Sequence, residues 1–502
     1  MSGLIGYRRK KLEEERMHIS ALTTDFYELT MMQGYFEANH NPNVVFDMFY
    51  RNNPFNGGYA VFAGINDLID KLEEFTFDAE DIAYLKSLGQ FSEPFLDFLS
   101  NYHFHGDLYS FNEGTIVFPG EVLVRVHTSL IDAQLIEGLL LNTVNFQTLI
   151  ATKAARMVEA SGGGTIMEFG LRRAQGEDGA LSASRAAFIG GCKVTSNTLA
   201  GKLYGIPVAG TMAHSWIMSY DNELDAFREF ARLYPDNAIL LIDTYDTLHS
   251  GIDNAIKVGL EQKAKGKKIG VRIDSGDLSY LPRVVRKKLD DAGLADATIC
   301  VSNDLTEEII QTLVTDKVPI DSWGIGTNLV TGGTQSSLNG VYKLAAKEEN
   351  GLFVPTMKIS NTFEKTTNPG IKQVYRFADA SGSVIADLIT LSQEVVKPGV
   401  KYTFFHPFAE GDFFELKPEA YATCTPMLVK QMKNGKRCQK KPELREIQKE
   451  VKDNLEKFHP SYRRQINPHI YKVSLSPKLK KLKMQLALEQ RKLSLSEGKP
   501  LL

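Results

Sequence analysis

An alternation that begins at residue 165 constrains this chain more than any other feature. Short apolar runs at 165–172, 192–197, 206–215, 238–245, 268–276, 297–304 and 321–330 are separated by amphipathic stretches. The stretches 225–233, 251–265, 279–292 and 306–316 carry the helical period. In the last of these, Ile309, Ile310 and Leu313 share one face, and Thr306 is placed to cap the helix. Strand–helix units of roughly 20–30 residues predict right-handed crossovers and a parallel sheet or barrel.

The polar residues decide between those two. Every run ends in a polar cluster: residues 168–173, Thr195-Ser196-Asn197, residues 211–215, Asp243-Thr244-Tyr245, residues 272–277, Ser302-Asn303-Asp304, and Gly326-Thr327-Asn328. In a (β/α) barrel the C-terminal strand ends converge on one face, where the site is built. Polar loops alone explain some of these endings. They do not explain charges lodged inside a strand, as in Gly-Val-Arg-Ile-Asp-Ser-Gly-Asp at 270–277. A barrel with a site at that face is therefore favoured over an open doubly wound sheet.

The rest of the 502-residue chain reads differently. Residues 1–140 set short strands (43–50, 115–118, 122–128) among helices, an α+β pattern. Short strands return at 340–345, 373–377 and 401–405, placed to pair with that first region. Beyond residue 426 the chain is basic, with amphipathic stretches at 442–458 and 475–493. The predicted organisation is an N-terminal domain over 1–145, a barrel over 146–340, a return over 341–425 and a basic segment over 426–502.

The formal charge of −3 hides a division. Residues 430–502 hold 20 Lys and Arg against 7 Asp and Glu, a net of +13, which leaves −16 for residues 1–429. A basic tail of that kind suits a phosphate backbone or an acidic protein surface. The 43% hydrophobic and 24% charged fractions exclude a wholly disordered or fibrous chain. Cys192, Cys300, Cys424 and Cys438 are too few and too scattered for a disulfide framework, and no CxxC pair suggests zinc. The basic N-terminal stretch lacks a signal-peptide core, and no apolar run approaches the ~18 residues of a membrane span. The cytoplasm is the expected compartment.

Familiar nucleotide motifs are absent: there is no GxxxxGK[ST], and Gly-Ile-Gly-Thr-Asn-Leu lacks the third dinucleotide glycine. The segment Gly-Ile-Gly-Thr-Asn-Leu-Val-Thr-Gly-Gly at 324–333 reads equally well as an anion cradle or as a tight turn needing positive φ. Within 270–278, Arg272 and Asp274 share a strand face. Arg272 suits a carboxylate or phosphate, while Asp274 and Asp277 suit ribose hydroxyls or hydrated Mg²⁺. An internal ion pair is the plain alternative. His214, predicted at a strand end beside small residues, can serve as a general base or phosphoryl acceptor. Arg172 and Arg173 suit a multiply charged anion or a solvated surface. By spacing alone, Thr-Thr-Asp-Phe-Tyr-Glu-Leu-Thr at 23–30 is an N-cap followed by core packing.

Together these motifs resemble one family, nicotinate phosphoribosyltransferase. The matching pieces are TDFYELTM (24–31), EFGLRRAQG (168–176), GTMAHSW (210–216), LIDTYDTL (241–248), GVRIDSGDL (270–278), GIGTNLVT (324–331) and GVYKL (340–344). The resemblance implies an α/β fold: an irregular (β/α) barrel of the type II phosphoribosyltransferase kind, an α/β sandwich domain and a C-terminal helical segment. It implies a ligase-class enzyme of NAD biosynthesis that joins nicotinate to phosphoribosyl pyrophosphate. Mg²⁺ and ATP hydrolysis through a phosphohistidine are implied too, as is a homodimer with a shared site. By motif, His214 is the phosphohistidine. Thr211 and Arg272 contact nicotinate, and Tyr27 stacks on its ring from the partner subunit. Thr327 holds the sugar phosphate, helped by Gly326, Gly332 and Gly333, while Arg172, Asp243, Asp274 and Asp277 are pocket residues, the two last counted as catalytic. Metal ligands stay unassigned. The competing readings are a nicotinamide phosphoribosyltransferase and, in another class, a nucleic-acid-binding protein using the tail; neither nucleic acid nor membrane is an expected partner.

Overall fold

The computed structural model describes residues 19–360, 366–409 and 411–496, with side chains as far as residue 492. The N-terminal stretch 1–18 lies outside the described residues. The chain divides into two compact units. One spans residues 149–336, and the other joins residues up to 148 with those from 337 onward.

Six of the seven apolar runs in the first of these units become strands of one sheet. They are β1 (Thr165–Glu168), β2 (Val194–Thr195), β3 (Ala238–Leu241), β4 (Ile269–Ile273), β5 (Thr298–Asn303) and β6 (Ser322–Ile325). The order is β2-β1-β6-β5-β4-β3, and every pairing is parallel. The helices α1 (Gly176–Ile189), α2 (Thr198–Tyr204), α3 (His214–Met218), α4 (Glu223–Leu233), α5 (Ile252–Lys263), α6 (Tyr280–Asp291), α7 (Glu307–Thr315) and α8 (Thr327–Val330) follow the strands. Thr306 caps α7 as its position predicts, accepting the Ile309 N–H at 3.3 Å. Beneath β3–β5 the core is filled by Phe227, Val258, Val271, Val285, Leu289 and Ile299. Each fully buried side chain of this size contributes about 1.5–3 kcal/mol.

The seventh run, 206–215, is the exception. It touches the sheet through one bridge, Thr195 to Val208, in which the Thr195 N–H donates to the Pro207 carbonyl at 3.0 Å. Pro207 has no N–H to extend a ladder, so the segment leaves the sheet as a loop. His214 is thus the first residue of α3, not the end of a strand. Among the described residues the sheet keeps edges at β2 and β3, and the irregular barrel is a curled half-barrel.

The discontinuous unit holds two larger sheets. In the seven-stranded one, Asn43–Tyr50 pairs antiparallel with Gly340–Glu349 on one side and Val124–Ser129 on the other. The strands Lys372–Ala378 and Tyr402–Phe405 instead belong to a six-stranded sheet, so only one of the three returning strands pairs with the N-terminal region. The basic segment after residue 426 was expected to be helical, and Leu444–Glu456 and Pro477–Ser496 are helices. It also supplies strands to both sheets: Val429–Lys433 pairs with Asp107–Ser110, and Val473–Leu475 lies parallel to Val384–Leu391. Three of its cations find acidic partners elsewhere in the same unit. Lys430 lies 2.7 Å from Asp107, and Arg437 and Lys441 lie 2.9 and 2.5 Å from Asp70. No described helix is long and apolar enough to cross a membrane.

Leu475 is fully buried inside the six-stranded sheet. Leu475→Ala is expected to cost about 2–5 kcal/mol, read as a lowered urea midpoint for this unit. A midpoint equal to that of the unaltered chain would show a tail that does not fold into the sheet.

Candidate active site

A cavity of about 400 Å³ opens where the sheet's strands end. Phe169, Arg172 and Arg173 follow β1, Ser196 follows β2, residues 210–213 come from the loop that leaves the sheet, and His214 opens α3. Arg272 and Asp274 belong to the end of β4, Ser302 to Asp304 to the end of β5, and Gly324, Gly326 and Thr327 to β6 and the start of α8. Gly324 leaves room for the Phe169 ring, which a Cβ at that position would meet at 2.8 Å.

Side chains tie these strand ends together. Asp243, just beyond β3, accepts the Asp274 N–H at 3.0 Å and the Ser275 hydroxyl at 2.6 Å through Oδ2. Ser302 donates to Asp274 Oδ1. Asp274 Oδ2 then stands 3.9 Å from His214 Nε2, while His214 Nδ1 lies 3.1 Å from the Thr244 hydroxyl. The Arg272 guanidinium donates from Nη1 to the Thr211 hydroxyl, and its Nε is buried without a hydrogen-bond partner. At β1, Glu168 is buried and accepts from the Gly170 N–H and from the hydroxyls of Ser184 and Thr195. That carboxylate sets the turn bearing Arg172 and Arg173.

The structure therefore brings Arg172, Thr211, His214, Arg272, Asp274, Gly326 and Thr327 to one cavity, with Asp243 supporting it. Asp277 is not among the lining residues. Its carboxylate caps α6, accepting the Ser279 and Tyr280 N–H groups at 2.8 and 2.9 Å, which hold it below the usual carboxylate range. Gly332 and Gly333 also lie outside the lining. They form a left-handed turn at φ 75° and 61°, and their amides are engaged by the Leu329 carbonyl and the Thr331 hydroxyl. Tyr27, in the other unit, is half exposed instead of packed in a core. Burial, then Glu137, push its phenol up to about 12, so it stays neutral.

Ser196, Ser302, Asn303 and Asp304 join the site although only their polar strand-end clusters signalled it. Asn303 sits at φ 116°, a region costly for a non-glycine residue and common at functional sites. Phe169 fell within the cluster 168–173 and the piece EFGLRRAQG but was not singled out, since an aromatic residue inside an apolar run reads as core. Among the described residues no group of three or more His, Cys, Asp or Glu is placed to hold a metal by itself. Hard oxygen donors are present nonetheless: Asp274 and Asp304 line the cavity, and Asp243 Oδ1 is buried without a partner. Such a donor set suits Mg²⁺, which keeps waters and takes substrate phosphate oxygens besides one or two carboxylates.

Models of three parts of one family match the chain. The nicotinate phosphoribosyltransferase (NAPRTase) N-terminal domain matches residues 22–145, the NAPRTase family model residues 165–377, and the C-terminal domain residues 371–483. The chain belongs to the nicotinate phosphoribosyltransferase family. It is 43% identical over 467 residues to the nicotinate phosphoribosyltransferase of Bacillus subtilis, covering 93% of this chain and 94% of that protein. It is 36% identical to the Caenorhabditis elegans nicotinate phosphoribosyltransferase, with 92% of each chain covered. The crystal structure of human nicotinic acid phosphoribosyltransferase superposes with a TM-score of 0.81 at 30% identity, covering 92% of this chain and 99% of that one. The half-barrel is thus family architecture.

Glu168→Gln would set an NH₂ group among three donors. It is expected to cost about 1–3 kcal/mol and to weaken calorimetrically measured pyrophosphate binding by displacing the Arg172 turn. Unaltered affinity would mean that the turn is held by other contacts.

Proposed function

We propose that this chain catalyses the reaction of its family: nicotinate and phosphoribosyl pyrophosphate give nicotinate mononucleotide and pyrophosphate, in NAD salvage. The observation that carries this reading is Arg272. Its Nη1 is committed to Thr211, while its buried Nε has no acceptor in the protein. A carboxylate on the pyridine ring supplies that acceptor in a charge-assisted bond, and a neutral amide supplies a weaker one. The acid is therefore favoured over nicotinamide.

The remaining cavity residues take the sugar phosphate. Arg172 and Arg173 provide positive charge, and Gly326 and Thr327 provide a close backbone approach and a hydroxyl; Gly332 and Gly333 shape the turn beyond them. The pyridine nitrogen attacks ribose C1 as the C1–O bond to pyrophosphate breaks, and the electron pair leaves with pyrophosphate. The nitrogen is nucleophilic without a base, so positioning does most of the work. Asp274 places negative charge where positive charge develops at the sugar, with Asp277 supporting the same loop through the start of α6. Asp274 and Asp304 would hold Mg²⁺, which when bound neutralises the leaving pyrophosphate. Tyr27, half exposed on the discontinuous unit, would stack on the pyridine ring from the partner subunit of a homodimer. Four free cysteines accord with a reducing cytoplasm.

ATP use is assigned to His214. With Nδ1–H donating to the Thr244 hydroxyl at 3.1 Å, Nε2 keeps its lone pair, and the Asp274 carboxylate at 3.9 Å is too far to engage it in a hydrogen bond. That nitrogen forms an N–P bond as the β–γ bond of ATP breaks and ADP departs; water later hydrolyses the phosphoramidate. The added charge lies beside Asp274 and changes the field around the sugar phosphate.

Mass spectrometry of products from nicotinate or nicotinamide, with phosphoribosyl pyrophosphate and MgATP, tests the reaction. Nicotinate mononucleotide is expected from the unaltered chain. Arg272→Gln should lower kcat/KM for nicotinate about 10–100-fold, the worth of one charged hydrogen bond. Better turnover of nicotinamide would sink the assignment. His214→Ala is expected to abolish acid-labile labelling from γ-labelled ATP, and persistent labelling would move the acceptor to another residue.

A further inference from the structure

Asn303, the last residue of β5, has a backbone unlike any other in the described chain. Eight other described non-glycine residues have positive φ, and all lie between 47° and 59°, the left-handed region that asparagine visits readily. Asn303 stands at 116°, where only glycine is at ease. The cause is local. Ser302 is buried and donates to Asp274 Oδ1, and the parallel pairing of Asn303 with Ile325 carries the ladder to the end of the strand. On the other side Leu305 is buried. Its N–H donates to the Asn303 carbonyl at 2.8 Å, and its carbonyl accepts from the Asn328 side chain at 3.2 Å. Thr306 then caps α7. The chain is pinned before and after, so the turn from strand to helix falls on Asn303.

An asparagine at positive φ commonly offsets the cost by hydrogen-bonding its own neighbourhood. This one does not. Its side-chain amide is exposed, lines the barrel cavity and makes no hydrogen bond to any described residue. Sheet order says what it faces. β5 lies between β6, whose end brings Gly326 and Thr327, and β4, whose end brings Arg272 and Asp274. The first pair is assigned to the sugar phosphate and Arg272 to the pyridine carboxylate, so the strand end between them meets the sugar. We propose that Asn303 binds a ribose hydroxyl of phosphoribosyl pyrophosphate, and that its strained backbone is what aims the amide at it. The assignment rests on this cavity holding that substrate. A carboxamide both donates and accepts, as a sugar hydroxyl does, so the two are matched without a charge. Glycine would relieve the backbone and lose the contact, which sets stability against binding at this one residue.

Calorimetric titration of the full chain with phosphoribosyl pyrophosphate and Mg²⁺, without nicotinate, tests this beside urea unfolding. Asn303→Gly is expected to unfold at a higher urea midpoint than the unaltered chain, because the strain released exceeds the freedom glycine adds to the unfolded state. The same variant should bind about three- to tenfold more weakly, the worth of a neutral hydrogen bond. Asn303→Ala keeps the demand on φ and lacks the amide, so it should bind as weakly as the glycine variant without the raised midpoint. A residue with a purely structural role would not lose binding while gaining stability. Either variant binding as tightly as the unaltered chain overturns the proposal, and so does a glycine midpoint no higher than the original. The glycine variant decides alone if the alanine variant does not fold. An unaltered chain that binds no phosphoribosyl pyrophosphate overturns the reading of the cavity itself, and this proposal with it.

Discussion

Parallel strands stop sharing backbone hydrogen bonds at their ends, and what lies beyond must be held by side chains. In this chain the Asp243 carboxylate does that holding. It gathers the Asp274 N–H and the Ser275 hydroxyl, so the end of β3 fixes the loop leaving β4. Ser302 then draws the end of β5 to Asp274 Oδ1. Three strand ends are joined by three contacts, and Asp274 keeps its second oxygen turned toward His214. Without that link Asp274 would ride on an exposed loop, and its charge would have no defined place relative to a reacting sugar.

The same division of labour recurs at β1. Glu168 is buried and spends its oxygens on an amide and two hydroxyls, which leaves Arg172 and Arg173 to face the cavity. Carboxylates act as scaffold while guanidinium groups remain available. An acidic body can therefore carry an anion site: its negative charge is partly committed to internal donors, and the cavity wall keeps Arg172, Arg173 and Arg272. Part of the charge of the +13 tail is likewise committed within its own unit. Lys430, Arg437 and Lys441 are matched to Asp107 and Asp70, and Val473–Leu475 is sheet interior.

The parallel architecture was legible because burial on both faces forces continuous apolar runs, and six of those runs became strands. Helix α7 was legible down to its cap, since capping is a local property of Thr306. Closure was not legible. Apolar residues at 206–215 look like a strand, but Pro207 withholds a donor and the ladder fails after one bridge. Tyr27 was misread by spacing for a related reason: helical periodicity reports which residues share a face, and an exposed aromatic has the same period as a buried one. Phe169 was invisible because apolar residues that floor a cavity look like those that fill a core. The tail's strands were missed because three- and five-residue strands carry little pattern of their own and depend on partners distant in sequence, as with Val429–Lys433 against Asp107–Ser110.

The failure of 206–215 to form a strand has a chemical consequence. A side chain at a true strand end is fixed by its own ladder and points in one of two directions. His214 instead opens α3 after a loop that holds Gly210, so its ring is placed by Thr244 and Asp274 and remains substantially exposed. An imidazole held that way can exchange one partner for another. Irregularity at this point of the half-barrel therefore leaves the His214 ring free to reorient while Asp274, tied to β3 and β5, stays where it is.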